Sequence, residues 1–179
     1  MPSAASPDPI TQASAYQQHL LSLLGDDDPA EVQARTEERI RSILQQAESV
    51  LRRRPAAGEW SVLELLGHLV DAEIVLTGRY RWALSQDRPQ LIGYDQDQWV
   101  DRLAHNDDDP QELLQLFSSL RTANLRLWKK SSAVTRARVA MHVERGPESY
   151  EMMFRMLAGH DRFHLNQMQQ TMRQLQAQR

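Results

Sequence analysis

The chain has 179 residues, with 21 Lys and Arg against 24 Asp and Glu, a formal net charge of −3. That length suits one domain, and the acidic balance argues against a nucleic-acid partner, whose surface would gather a basic excess on one face. With no cysteine, disulfides, zinc fingers, iron–sulfur clusters and cysteine nucleophiles are excluded.

Residues 1–9 are Pro/Ser/Ala-rich and read as a flexible tail, with residues 10–179 as a single domain. The tail lacks the basic and apolar regions of a secretory signal. No apolar run approaches the roughly 20 residues that span a bilayer, so no membrane contact is expected and a cytoplasmic location is the default. A short first helix is expected from Thr11 to Leu24, stopped by Gly25. Asp28-Pro29-Ala30-Glu31 opens a longer helix with a capping residue, a proline at the first helical position and a capping-box pattern. Its apolar positions run to Leu51, which puts its end near Arg54-Pro55 and places Arg52-Arg53-Arg54 at a C-terminus, where the helix dipole favours positive charge. Ser61-Val62-Leu63-Glu64 is a second capping box, with Trp60 as a hydrophobic staple, opening a helix to about Gln86. Residues 87–108 show no periodicity and read as a long surface connection with room for a short helical turn. Asp109-Pro110-Gln111-Glu112 starts a helix through about Lys130. Val139–Val143 reads as a short extended piece, and the last helix runs from Pro147 or Ser149 to about Gln176. The repeated Asp-Asp-Asp-Pro string at 26–29 and 107–110 lacks the alternating ligands and glycine of a calcium loop and is explained by capping. The pattern predicts an all-α fold: a four-helix bundle with an extra short N-terminal helix. The short break at 55–60 favours antiparallel neighbours, and the long one at 87–108 allows a crossover to a parallel neighbour.

His160 and His164 stand four residues apart, so at about 100° per residue their rings project roughly 40° apart from one helix face. Met153, Met156, Leu157, Thr171 and Leu175 share that face, which puts the pair inside the apolar stripe. Two core imidazoles have four ring nitrogens to satisfy, and each unpaired one costs about 1–3 kcal/mol. A metal would take one nitrogen of each ring, whereas internal hydrogen bonds, chiefly to Gln167 and Thr171, are the alternative. His68 lies on the flank of its helix's stripe, about 60° from Leu65, and is the candidate third ligand; three imidazoles from two helices make an open metal site. Arg79 continues the His68 face about 16 Å along the axis, where it would hold an anionic substrate group or close a salt bridge at the bundle edge. Asp71, three residues after His68, is positioned to orient its ring, although its wheel position favours a solvated carboxylate. His19, His105 and His142 are weaker candidates.

Three segments carry a family resemblance. They are Trp60-Ser61-Val62, Glu64, Leu66-Gly67-His68-Leu69 and Asp71-Ala72-Glu73; then Arg79, Pro89, Tyr94-Asp95-Gln96-Asp97 and Trp99; then Gly159-His160-Asp161, His164-Leu165 and Gln167. In this order and spacing the chain resembles the DinB/YfiT-like superfamily over roughly residues 30–175. The resemblance implies a bundle with up-down-down-up connectivity and a divalent metal, zinc or nickel, on three histidines matching His68, His160 and His164. It implies metal-dependent hydrolysis, or in related branches thiol-dependent S-transfer or isomerisation with a low-molecular-weight thiol. A small-molecule substrate follows, and a homodimer is left open. The resulting expectation is a metal-dependent enzyme that activates water or an external thiol; the rivals are a non-catalytic metal-binding or stress-response protein and a purely structural bundle.

Overall fold

The computed structural model describes residues 7–8 and 11–178, so most of the expected tail lies outside the described residues. Chain order is α1 (Ala13–Leu24), α2 (Pro29–Ala47), α3 (Val62–Ser85), β1 (Gln90–Leu91), α4 (Gln96–Arg102), a 3-10 turn (His105–Asp107), α5 (Pro110–Lys130), α6 (Ala133–Arg136), β2 (Val139–His142), β3 (Gly146–Ser149) and α7 (Tyr150–Ala177).

The caps work as local chemistry dictates. Asp28 accepts from the amides of Ala30 and Glu31, and Asp109 from those of Gln111 and Glu112. Both Asp-Asp-Asp-Pro strings thus serve helix starts. Glu31 does not complete a box; its carboxylate pairs with Arg35 one turn on. At α3 the full box forms, Ser61 and Glu64 exchanging side-chain and backbone bonds, and Ser149 caps α7 through the Met152 amide.

α2, α3, α5 and α7 form the bundle. Gln33 reaches Phe154, Thr36 reaches Asp161 and Gln176 reaches Gln46, so α2 and α7 run parallel. Glu73 meets Arg121 and Thr77 meets Asn124, so α3 and α5 also run parallel. Ser118 bonds Glu37 while Arg121 bonds Gln33, which sets α5 antiparallel to α2. The connectivity is therefore up-down-down-up, and the long crossover joins parallel neighbours as expected. α2 and α3 each pack on both α5 and α7 and barely touch one another, so they stand at opposite corners. The expected short break spans that diagonal because α2 already ends at Ala47, leaving residues 48–61 to cross. Arg52 and Arg54 consequently do not cap a helix. Arg52 donates to the Asn106 and Asp108 carbonyls, and Arg54 to Glu64 and Asp101. They tie the crossing to the 3-10 turn, the start of α3 and α4.

The segment 87–108 is more than a surface connection. It supplies β1, α4 and the 3-10 turn, and it buries Leu91, Val100 and His105. β1 pairs parallel with β2, and β2 antiparallel with β3, giving a small sheet in the order β1-β2-β3 beside the mainly helical body. The extended piece at Val139 is its central strand. One apolar core fills the bundle around Ile40, Leu66, Phe117 and Met168. A second, around Tyr80, Trp128, Tyr150 and Phe154, joins the bundle to the sheet. No helix among the described residues is long and apolar enough to cross a membrane.

Candidate metal centre

α3 and α7 bring His68, His160 and His164 together. His68 Nε2 lies 3.0 Å from His160 Nε2 and 3.2 Å from His164 Nε2. All three residues are buried, and they form a group whose ligand atoms lie within 4.8 Å of one another. Burial pushes the His68 and His160 rings well below the ordinary imidazole value, with the neighbouring His164 adding to the effect, and pushes His164 down to about 4. Neutral rings are what a metal requires. Gln167 Oε1 accepts from His164 Nδ1 at 3.0 Å, which fixes the tautomer and leaves Nε2 with its lone pair. The Nδ1 atoms of His68 and His160 are buried with no partner among the described residues. The Trp60 indole covers the cluster, its centroid 5.0 Å from the His68 ring and 6.5 Å from that of His164.

Asp71 is neither solvated nor bonded to His68. It is buried, and its Oδ2 accepts from His105 Nε2 at 2.8 Å, while His105 Nδ1 meets Asp108 at 2.9 Å. Hydrogen bonding to Asp71, and then to Asp108, raises the His105 pKa. Gly67 makes room for this arrangement, since a Cβ there would stand 2.6 Å from the His105 Cβ and Cδ2. The 3-10 turn is thereby pinned to α3 beside His68. His142, buried at the end of β2, and His19, edge-on to Phe163, stay outside the cluster.

Arg121 was not singled out by the sequence. Buried on α5, it donates at 2.6 Å to Glu73 of α3, at 2.6 and 3.0 Å to Asp161 of α7, and to the Gln33 carbonyl of α2. Thr36 and Asn124 complete the shell on Asp161 and Glu73. Four helices thus meet at one guanidinium, which holds Asp161, the residue after His160.

His160 also lines a cleft that opens to solvent. Arg79 sits along the same cleft, between walls supplied by Leu76, Met153, Met156 and Leu157. α1 closes one side with Tyr16 and Leu20, and it lies so near α7 that only glycine fits at position 159. The hairpin after β2 contributes Glu144, Arg145 and Glu148.

The fold is similar to that of the YfiT protein of Bacillus subtilis, described as a probable metal-dependent hydrolase with an unusual four-helix bundle topology. The TM-score is 0.73 at 19% sequence identity, covering 84% of this chain and 89% of that one. A search of curated proteins returned no match. The family model of the DinB superfamily matches residues 30–168, which takes in α3 and α5 whole, nearly all of α2, α7 as far as Met168 and each of the three converging histidines. With sequence model, bundle connectivity and histidine cluster in agreement, the chain belongs to the DinB superfamily.

Proposed function

We propose that this chain is a metal-dependent enzyme, holding one divalent ion, zinc or nickel, on His68, His160 and His164 and acting on a small molecule in the adjoining cleft. The convergence of three buried Nε2 atoms is the observation that carries this reading. Nitrogen ligands at about 2.0–2.1 Å from one tetrahedral ion stand about 3.3 Å apart, close to the 3.0 and 3.2 Å seen here. Without a cation, one proton on His68 Nε2 would have to serve the lone pairs of both other rings, whereas a divalent ion accepts all three Nε2 lone pairs at once. The donor set therefore fits a divalent metal.

When bound, such an ion supplies Lewis acidity that lowers the pKa of a water toward about 7, or lowers that of an external thiol. The chain's own residues prepare the ground. Burial holds the rings neutral, Gln167 orients His164, and the Trp60 indole packs against the His68 and His164 rings. His160 alone of the three faces the cleft, so substrate enters on its side. The same opening weighs against a non-catalytic metal-binding role, which calls for an occluded site. We further propose that Asp71 braces α3 beside His68 through His105. Thiol S-transfer is the second reading, favoured by a cleft whose lining runs from His160 on to Arg79, Tyr94 and Arg145, along which the body of a low-molecular-weight thiol would lie. Nucleic acid is not an expected partner, because Arg52 and Arg54 are engaged with carbonyls and carboxylates of their own chain.

Elemental analysis of protein purified without a histidine tag tests the proposal. About one zinc or nickel per chain is expected, and close to none in His160→Ala. Retention of the metal in that variant, or none in the wild type after incubation with either ion, would reject the assignment.

A further inference from the structure

Arg79 stands out among the charged groups of the cleft. It is 5% exposed, and it donates to the Ile92 carbonyl, 2.6 Å from Nη2. Among the described residues no carboxylate pairs with it. The neighbouring charges are committed elsewhere: Arg145 binds Glu148 in a fork at 2.6 and 3.1 Å, and Glu148 also accepts from Gln17 at 2.7 Å. Glu144 rests against Gly93, with an oxygen 3.9 Å from His142 Nδ1. Burial, then the nearby Arg145 charge, lowers the pKa of Arg79. A desolvated guanidinium beside a second cation is costly unless an anion joins it, and its planar fork suits a carboxylate.

Between Arg79 and His160 the cleft wall is apolar, formed by Leu76, Met153, Met156 and Leu157. Arg79 follows His68 by eleven residues on α3, about 16 Å along the axis, less the reach of both side chains. That distance suits a ligand roughly eight to ten heavy atoms long. We propose that the cleft takes an elongated small-molecule carboxylate, its anionic end on Arg79 and its apolar chain along Leu76, Met153 and Met156, with the reacting end at the three histidines. The last clause rests on the metal-centre reading; the carboxylate seat does not.

Ligand-observed NMR titration separates the two, using octanoate, octan-1-ol and octylammonium as probes. Octanoate is expected to bind the wild-type protein at least tenfold more tightly than octan-1-ol. Arg79→Met should weaken octanoate about tenfold while leaving octan-1-ol unchanged, and Leu76→Trp, which fills the middle of the cleft, should weaken both. His160→Ala should keep the preference for octanoate even as metal content falls, so a failed metal assignment leaves this result standing. Octanoate binding that survives Arg79→Met but disappears in His160→Ala would place the carboxylate on the metal and overturn the proposal. So would a preference for octylammonium, no binding of octanoate to the wild type, or unaltered octanoate binding in Leu76→Trp, the deciding variant should Arg79→Met not fold.

Discussion

Gly159→Ala pits two opposing effects against each other at one backbone position. A Cβ on Gly159 would overlap the Leu20 carbonyl oxygen and stand 2.7 Å from its carbon, whereas carbon atoms in good contact are about 3.5–4.0 Å apart. The obstructing atoms are backbone, so relief requires α1 to rise from α7 by about 1 Å. Alanine in a helix interior is favoured over glycine by about 1 kcal/mol. Against that stand the usual cost of overpacking, about 1–3 kcal/mol, and the uncovering of Leu20 and Leu24, which are 2% and 1% exposed. Full burial of each such side chain is worth about 1.5–3 kcal/mol, so even partial exposure outweighs the propensity gain. A net loss of about 1–3 kcal/mol is expected, lowering Tm by roughly 2–12 °C for a chain of this size. Because Tyr16 and Leu20 wall the cleft, octanoate binding should weaken too, while metal content should hold. Calorimetry with parallel metal analysis reads both. A variant as stable as the wild type, or more stable, would refute the seating of α1 on Gly159.

Arg121→Met leaves Glu73 and Asp161, both 0% exposed, without their cation, and breaking such a buried network costs about 3–5 kcal/mol; urea unfolding showing a loss below about 1 kcal/mol would deny it a bracing role. His105 has a pKa raised above its unfolded value near 6.5 by its bonds to Asp71 and Asp108. Its contribution is therefore complete below about pH 6.5 and is lost as pH rises through the folded-state value. The stability gap between the wild type and His105→Gln should narrow from pH 6 to pH 9, measured by urea midpoints; a gap that widened would reverse the assignment of charge to this ring.

Much of the helical frame was legible because capping acts over three residues. Asp28, Ser61, Asp109 and Ser149 announce their helix starts within a single turn of sequence, and the structure has each cap in place. The end of α2 was misplaced because Val50 and Leu51 continue the apolar rhythm while the backbone has already left the helix in turns. The parallel pairing of β1 with β2 had no local signal, since its strands lie in separate stretches joined by α5. The shared face of His160 and His164 follows from helical spacing; that His68 meets them is a matter of how α3 packs on α7.

The buried polar residues divide in the same way. Periodicity reports which face of a helix is apolar, so Asp71 reads as a solvated carboxylate and Glu73, Arg121 and Asp161 receive no partner, whereas each is buried against partners on other elements. The sequence alone determined where the long helices start, the absence of cysteine chemistry and an inward pair of histidines, because those depend on near neighbours and composition. Only the tertiary structure decided that Asp71 serves His105, that one guanidinium ties four helices, and that Arg79 shares a cleft with His160. Those are contacts between residues far apart in the chain, and their energies exist only once packing has removed the water between them.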